Sequence, residues 1–511
     1  ISLTLWELSA NEQLMRKIID KFENQHPYIK VNLQQLTWEY GLDKFIISVA
    51  AGNAPDICEL GTTWVAKFAA SGILLDITKD IEEIRDKYFL WECATYNNSI
   101  YGIPWLAGTR VLFYNKYLFT RAGLNPDAPP QTWADLLNAA RAIHNPRGGI
   151  WGFSIFAGEP ESPWQEFLPF AWSNGANILS EDLKNSVLNS QETVQALEFY
   201  KELSRYSLIE RQSQVNELFA EGKVGMQISG SWNLRLIPRL NPQLRFGVSF
   251  VPSPKKQEDH GIAFAGGELF VITKKTKHPR EALELVKFLA NKENTMEIVR
   301  IQQNVVPAHK ETVDEPYYET HPDQKVFLAQ LNSALGPPNH PRWPEIQEHI
   351  TGMVERTIMK GVRPSEAAET AAAEIDKILR HEDGQGTFSN GFITIITVII
   401  ILAWAFLIFL MMKKNAGPFL EISPWLATFL IFGLYPLIYS VIISFSRYDL
   451  LTSQLSFVGL KNYLAVIQDK GFHRALWHTL VFCIGTVPFT IGLSLFCAIL
   501  INRKIPFKQL Y

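Results

Sequence analysis

An uncharged run near the carboxyl end constrains this chain more than any other feature. Phe392 to Met412 reads FITIITVIIILAWAFLIFLMM, 21 residues without a charge. At about 1.5 Å per helical residue it spans roughly 30 Å, the hydrocarbon thickness of a bilayer. From Gly391 to Phe445 the only charged side chains are Lys413, Lys414 and Glu421. Two further apolar runs follow, so transmembrane helices are expected at 391–412, 424–445 and 476–501. Three buried helices of a soluble core are the alternative, but such helices rarely reach this length without charge.

Orientation follows from the basic flanks. Lys413 and Lys414 sit between the first two runs, and Arg503, Lys504 and Lys508 follow the third. Short cationic loops stay in the cytoplasm. The loop 446–475 is then external, although Arg447, Lys461, Lys470 and Arg474 there outnumber Asp449 and Asp469. Everything before Gly391 is placed outside the cytoplasm, which calls for an export signal ahead of Ile1. Domains are read as 1–383, a linker at 384–390, and the membrane part. The averages for 511 residues, 47% hydrophobic and 19% charged, therefore blend two unlike regions.

Several function classes are disfavoured. A net charge of −3 offers no basic field for nucleic acid. Four cysteines do not make a disulfide scaffold. Cys58 and Cys93 either pair or stay as free thiols, and Cys483 and Cys497 read as small apolar residues of the third run. The chain carries no P-loop, HExxH, Cys-x-x-Cys or Gly-x-Ser-x-Gly pattern, so no cofactor or metal is expected.

The first 383 residues alternate strand and helix patterns. Ser2–Glu7 reads as a strand, Ser9-Ala-Asn-Glu12 as a capping box, and a helix continues to about Gln25. A strand over Lys30–Leu36, a helix over Gly41–Ala51 and a strand over Asp56–Leu60 complete a β-α-β-α-β order, which implies a mostly parallel sheet. Tyr101–Trp105 reads as a loop, Thr109–Tyr114 as a strand, and Ile150–Phe156 as the crossover into a second lobe near residue 150. Helices over 344–359 and 364–379 close the domain.

Ligands of such sheets bind at the carboxyl ends of strands. There the sequence places Trp6-Glu7, Trp38-Glu39-Tyr40 and Thr63-Trp64, and further on Trp105, Trp164, Trp232 and Trp343. An indole face packs on the apolar face of a pyranose, and carboxylates accept from its hydroxyls. Any one of these tryptophans is as readily a core residue, whereas seven of them at strand ends and loops point to a sugar site. Glu7, Glu39, Asp56, Glu59, Glu159 and Glu268 are the candidate carboxylates. A glycosidase pair is an alternative role for them.

A set of motifs adds to this. Pro55-Asp56-Ile57, Tyr101-Gly102-Ile103-Pro104, Leu112–Lys116 with Ala122-Gly123-Leu124, Pro130–Trp133, Phe219–Met226 with Gly230-Ser231-Trp232, and Gly266-Gly267 occur in this order. By them, residues 1 to 380 resemble the maltose-binding type of extracellular solute-binding proteins of ATP-binding-cassette importers. The resemblance implies an α/β, two-lobed, type II periplasmic-binding-protein-like domain that closes about a hinge on a sugar or polyol, without catalysis. It implies aromatic platforms at Trp232 and Trp343, contacts from the Glu159–Trp164 loop, and a place for Gly267 and Glu268 in the site.

The carboxyl-terminal part resembles a second family, the sugar-type permease subunits of the same importers. Leu434-Tyr435-Pro436-Leu437 with Ser444-Phe445, Phe457–Tyr463, His478-Thr479-Leu480 and Leu500–Arg503 carry that likeness. It implies a receptor fused to the first part of a permease, multi-pass in the bacterial inner membrane, with residues 1–390 outside. A second permease subunit and an ATPase dimer would be its partners, with the lipid bilayer around it. Such permeases have about six spans, so a fragment or truncated frame is expected. A membrane-anchored carbohydrate-processing enzyme and a transmembrane sugar-sensing receptor are the alternatives.

Overall fold

The computed structural model describes residues 1–38, 40–157, 162–255, 260–380, 387–388, 425, 428–449, 454–468 and 470–502. Glu39, Glu159, the run 392–412, most of the 384–390 linker and the basic residues after 502 lie outside the described residues. The chain divides into two compact units, Ile1–Asp383 and Gly384–Tyr511.

In the first unit the strands are β1 (Ser2–Glu7), β2 (Lys30–Gln35), β3 (Ile57–Gly61), β4 (Gly102–Thr109), β5 (Val111–Asn115), β6 (Phe153–Phe156), β7 (Ser207–Glu210), β8 (Met226–Ser229), β9 (Phe246–Ser249), β10 (Ala263–Ile272), β11 (Val306–Pro307) and β12 (Ala334–Leu335). The first lobe is built on a sheet ordered β11-β4-β10-β3-β1-β2, with β12 on β10. The second holds the β8-β5-β9 sheet and the β6-β7 pair. β1 is parallel to β2 and β3, as the β-α-β order implies. β10 runs antiparallel against β3 and β4, so the sheet is mixed.

The run expected as one strand over Thr109–Tyr114 belongs to two sheets. β4 ends at Thr109, β5 begins at Val111, and Arg110 alone separates them. The crossing therefore comes at Arg110, ahead of the position near 150 that the sequence suggested. Apolar residues on both sides hide the switch, and the single charge marks it. Gly102–Thr109 is itself a strand, although Gly102 and Pro104 read as a loop. The pairing with β10 skips from Leu106 to Pro104, so Trp105 is the extra residue of a bulge that accommodates the proline.

The first helix, Glu12–Gln25, is capped by Asn11, whose Oδ1 accepts from the Gln13 and Leu14 amides at 3.1 and 3.3 Å. Ser9, the expected cap, lies in a turn whose amides are drawn to carboxylates, and its Oγ is buried without a partner. The helix buries Leu14, Met15, Ile18, Ile19 and Phe22 on one face. Thr132 and Asp135 make a reciprocal capping box for Trp133–Ile143. The late helices Trp343–Ile358 and Pro364–Arg380 return to the second lobe, packing with Trp164, Phe167 and Tyr200.

In the second unit one helix runs from Lys470 to Asn502. Its 29-residue segment Phe472–Leu500, whose most apolar 18-residue window has a mean hydropathy of 2.1, is the one helix among the described residues that is long and apolar enough to cross a membrane. A shorter apolar stretch, Ile431–Ser444, overlaps a π turn at Leu430–Leu434 that is followed by the helix Tyr435–Ser444. Pro436, which has no amide hydrogen to give, lies at the start of that helix. Ser446–Asp449 and Gln454–Phe457 form an antiparallel pair, and Thr387–Phe388 joins its edge.

Candidate ligand-binding site

Arg110, at the crossing between the sheets, organises the site. Its guanidinium carbon lies 4.4 Å from the Trp232 ring centroid and 5.5 Å from that of Phe264. Nη2 donates to Gln165 Oε1 at 2.7 Å. Burial lowers the guanidinium pKa to about 10, against the pull of Glu268 and Glu166, so Arg110 remains a cation at neutral pH. A pocket beside it is lined by Arg110, Phe156, Gln165, Glu166, Gln212 and Ile228.

Glu166 is 2% exposed. Its Oε2 accepts from the Phe156 amide at 2.7 Å and the Tyr200 hydroxyl at 3.1 Å, while Oε1 is buried without a partner. Burial raises its carboxyl to about 8, although these bonds and Arg110 oppose the shift. Glu268, half-buried on β10, is raised to about 8 by burial and by Glu59, with Arg110 opposing.

Trp232 stands immediately before the helix Asn233–Leu240 and is half-buried. Its ring lies over Gly230, where an added Cβ would come within 1.9 Å of the indole. Gly230→Ala is therefore expected to displace the ring from Arg110. Ligand affinity should drop at least tenfold, the order of losing one aromatic contact, with little change in melting temperature. Unchanged affinity in a titration would refute this.

The first lobe contributes an aromatic pair, Trp38 after β2 and Trp64 after β3. Trp38, 43% exposed, and Trp64, buried, have ring centroids 5.3 Å apart at 52°. Thr63 beside them is half-buried and Tyr40 is exposed. The helix Trp343–Ile358 touches the turn Thr62–Trp64, so both lobes meet here.

Other sequence candidates occupy interior positions. Trp105 is fully buried against Phe270 at 4.6 Å. Trp164 and Trp343, each 1% exposed, meet edge to face at 5.1 Å in the second core. None of these three presents a ring face to solvent, because the strands and helices carrying them are covered on that side. Trp6 is buried against Phe45, with Lys44 Nζ 5.2 Å from its ring. Gly267 has φ +147°, and a Cβ there would meet the Leu106 carbonyl at 2.2 Å, so its place is set by strand packing beside the bulge.

Glu7 and Glu59 are fully buried and hold a turn. Glu7 Oε1 accepts from the Ser9 and Ala10 amides, and Glu59 Oε2 from Leu8 at 2.6 Å and Ser9 at 3.1 Å. Burial, then Glu59, raises Glu7 to about 9, and burial raises Glu59 as well. Cys58 and Cys93 are free thiols. Among the described residues no cluster of His, Cys, Asp and Glu could hold a metal ion. Arg110, Gln165 and Glu166 were not singled out from the sequence. The one signal for Arg110 was a charge inside an otherwise apolar strand pattern.

Two sheet-based lobes, a chain that crosses between them, and an aromatic–cation platform at the crossing define a two-lobed binding protein. The chain belongs to the bacterial extracellular solute-binding protein family, which it matches over residues 7–296. A binding protein of Brucella abortus (strain 2308) is 26% identical over 392 residues, covering 74% of this chain and 93% of its own. The sn-glycerol-3-phosphate-binding periplasmic protein UgpB of Escherichia coli O6:K15:H31 is 25% identical over 401 residues, 71% of this chain and 88% of its own. An ABC transporter solute-binding protein of Thermotoga lettingae, solved with α-D-tagatose bound, matches with a TM-score of 0.66 at 28% identity, covering 74% of this chain and 99% of that one. The chain is thus a solute-binding protein and not an enzyme.

Proposed function

We propose that this protein binds a sugar or oligosaccharide outside the cytoplasm and presents it to an ATP-binding-cassette importer. The observation that carries this reading is the Arg110–Trp232 stack at the crossing between lobes, beside the pocket lined by Gln165, Glu166 and Gln212. The half-exposed indole of Trp232 and the Trp38–Trp64 pair offer aromatic surfaces for a pyranose face. Arg110, Gln165 and Glu268 offer donors and acceptors for its hydroxyls. The tagatose complex of the Thermotoga lettingae relative supports the choice of a sugar.

The fusion to a permease belongs to the same proposal. Residues 424–511 are the first part of a permease subunit, a reading supported by the apolar helix Phe472–Leu500 and the permease-like motifs that flank it. The receptor would then be held at the membrane near its own translocation path, at an effective concentration in roughly the mM range for a short tether. A second permease subunit and an ATPase dimer complete such an importer.

Thermal unfolding of the full chain in detergent, against a panel of neutral mono-, di- and oligosaccharides and polyols, tests the binding. At 100 times Kd the ligand should add about 2.7 kcal/mol to the stability of the first unit. Absence of any shift across the panel would remove the sugar reading. Alkylation of cysteines introduced after residue 502, in intact cells, tests the membrane reading, which requires that they be reached only after permeabilisation.

A further inference from the structure

Two residues flanking the Trp232 platform reach across to the other lobe. Ser231 Oγ donates to the Asn304 carbonyl at 2.8 Å, and Arg235 Nη1 donates to the Gln302 carbonyl at 3.2 Å. Ser231 and Arg235 are tied to the second lobe, because Asn233 between them donates to Asn216 Oδ1 at 2.8 Å and Ser229 Oγ at 3.0 Å. Gln302 and Asn304 are tied to the first. The helix Lys292–Gln302 is ion-paired through Glu297 to Lys17 and Lys21 of the first helix, and it leads into β11.

The receiving carbonyls are turned outward by local backbone. A helix ends with carbonyls that lack intrahelical partners. Gln303 ends this one in the left-handed conformation, φ 56°, uncommon for a residue with a side chain. Its amide turns back to the Val299 carbonyl at 2.8 Å. The three carbonyls that follow the last turn each find a different donor: Gln302 takes Arg235, Gln303 takes Gln324 Nε2 at 2.9 Å, and Asn304 takes Ser231. The Gln302 side chain grips the turn after Glu7, accepting from the Asn11 amide at 2.9 Å and donating to the Ser9 carbonyl at 3.3 Å.

We propose that Ser231 and Arg235, with the Gln302 and Asn304 carbonyls, form a latch that holds the lobes in this arrangement and fixes the Trp232 indole over Arg110. They are positioning residues and act before any ligand arrives. Hydrogen bonds made in one lobe arrangement and not in another shift the equilibrium between the two by their full differential free energy. The latch therefore pre-forms the platform, so less of a ligand's binding energy goes to ordering it.

The test needs no ligand. Tyr28 in the first lobe and Tyr117 in the second are 57% and 63% exposed and suit spin labels on introduced cysteines. In the full chain in detergent, with Cys93, Cys483 and Cys497 changed to serine, pulsed electron resonance reads the distance between them. One dominant distance is expected in the parent. Arg235→Ala should lower the ratio of that population to longer distances roughly fivefold, on the scale of one hydrogen bond. Arg235→Lys keeps a donor and should recover most of the loss, and Ser231→Ala should reproduce part of it. Melting temperature should hold in all three, since no core contact is removed. Identical distance distributions in the parent and Arg235→Ala would overturn the latch, as would a lowered melting temperature without a change in distance. If Arg235→Ala does not fold, Ser231→Ala carries the same two readings.

Discussion

Trp164→Ala should destabilise the first unit by about 3–5 kcal/mol, whereas Trp232→Ala should cost it only about 1 kcal/mol and abolish most ligand binding. Trp164 is enclosed by Phe264 at 5.5 Å and Trp343 at 5.1 Å and is 1% exposed. Removing it leaves a cavity that the second-lobe helices cannot collapse to fill. Trp232 is half-buried and its main partner is the Arg110 guanidinium. Its loss opens space toward solvent, and its binding penalty should be roughly 1–3 kcal/mol, the size of a central aromatic contact. Chemical denaturation of the full chain in detergent, with ligand titration on the same samples, separates the two effects. Equal losses of stability would mean that the half-exposed ring is a core residue after all.

The second large effect is a fall in stability as pH rises from 5 to 9. Glu7 is raised from its ordinary 4.5 to about 9, and Glu166 and Glu268 to about 8, in each case chiefly by burial. Below about pH 4.5 both folded and unfolded chains hold these protons, and the contribution is fully present. Above it the unfolded chain releases them while the fold retains them, so stability falls until the folded groups ionise at about 8 to 9. One pKa unit of difference corresponds to about 1.4 kcal/mol, so even a fraction of these shifts gives a loss of several kcal/mol. Glu23 works in the opposite direction. Burial opposes its ionisation, but the Val31 amide, Arg16 and Lys30 bring it down to about 2, so its contribution fades as pH drops from 4.5 toward 2. The melting temperature should therefore peak near pH 5. Glu7→Gln and Glu166→Gln should flatten the alkaline limb. A melting temperature that rises between pH 6 and 9 would contradict this account.

Local patterns are legible in the sequence, and contacts between distant segments are not. The β1-helix-β2-helix-β3 order was readable because apolar spacing changes from 2 to 3.6 and glycine or proline punctuates each element. The box at Thr132 and Asp135 was readable because it is local. The cap at Asn11 was not, because the choice between Ser9 and Asn11 depends on Glu59, which is distant in sequence and takes the Leu8 and Ser9 amides. Arg110 was missed for a similar reason. Its importance comes from Trp232 and Gln165, which reach it only when the second lobe folds.

The sequence by itself determined the β-α-β order of the amino-terminal lobe and the contrast between a charged α/β unit and an apolar carboxyl-terminal part. Both follow from side-chain chemistry and short-range spacing. The tertiary structure alone decided which tryptophans have a free face. Trp105, Trp164 and Trp232 have the same indole, yet a bulge against Phe270 buries the first, helix packing encloses the second, and a glycine beneath the third leaves its ring at the crossing of the lobes. Exposure is a property of what covers a residue, and for these three the covering groups come from parts of the chain that no local pattern specifies.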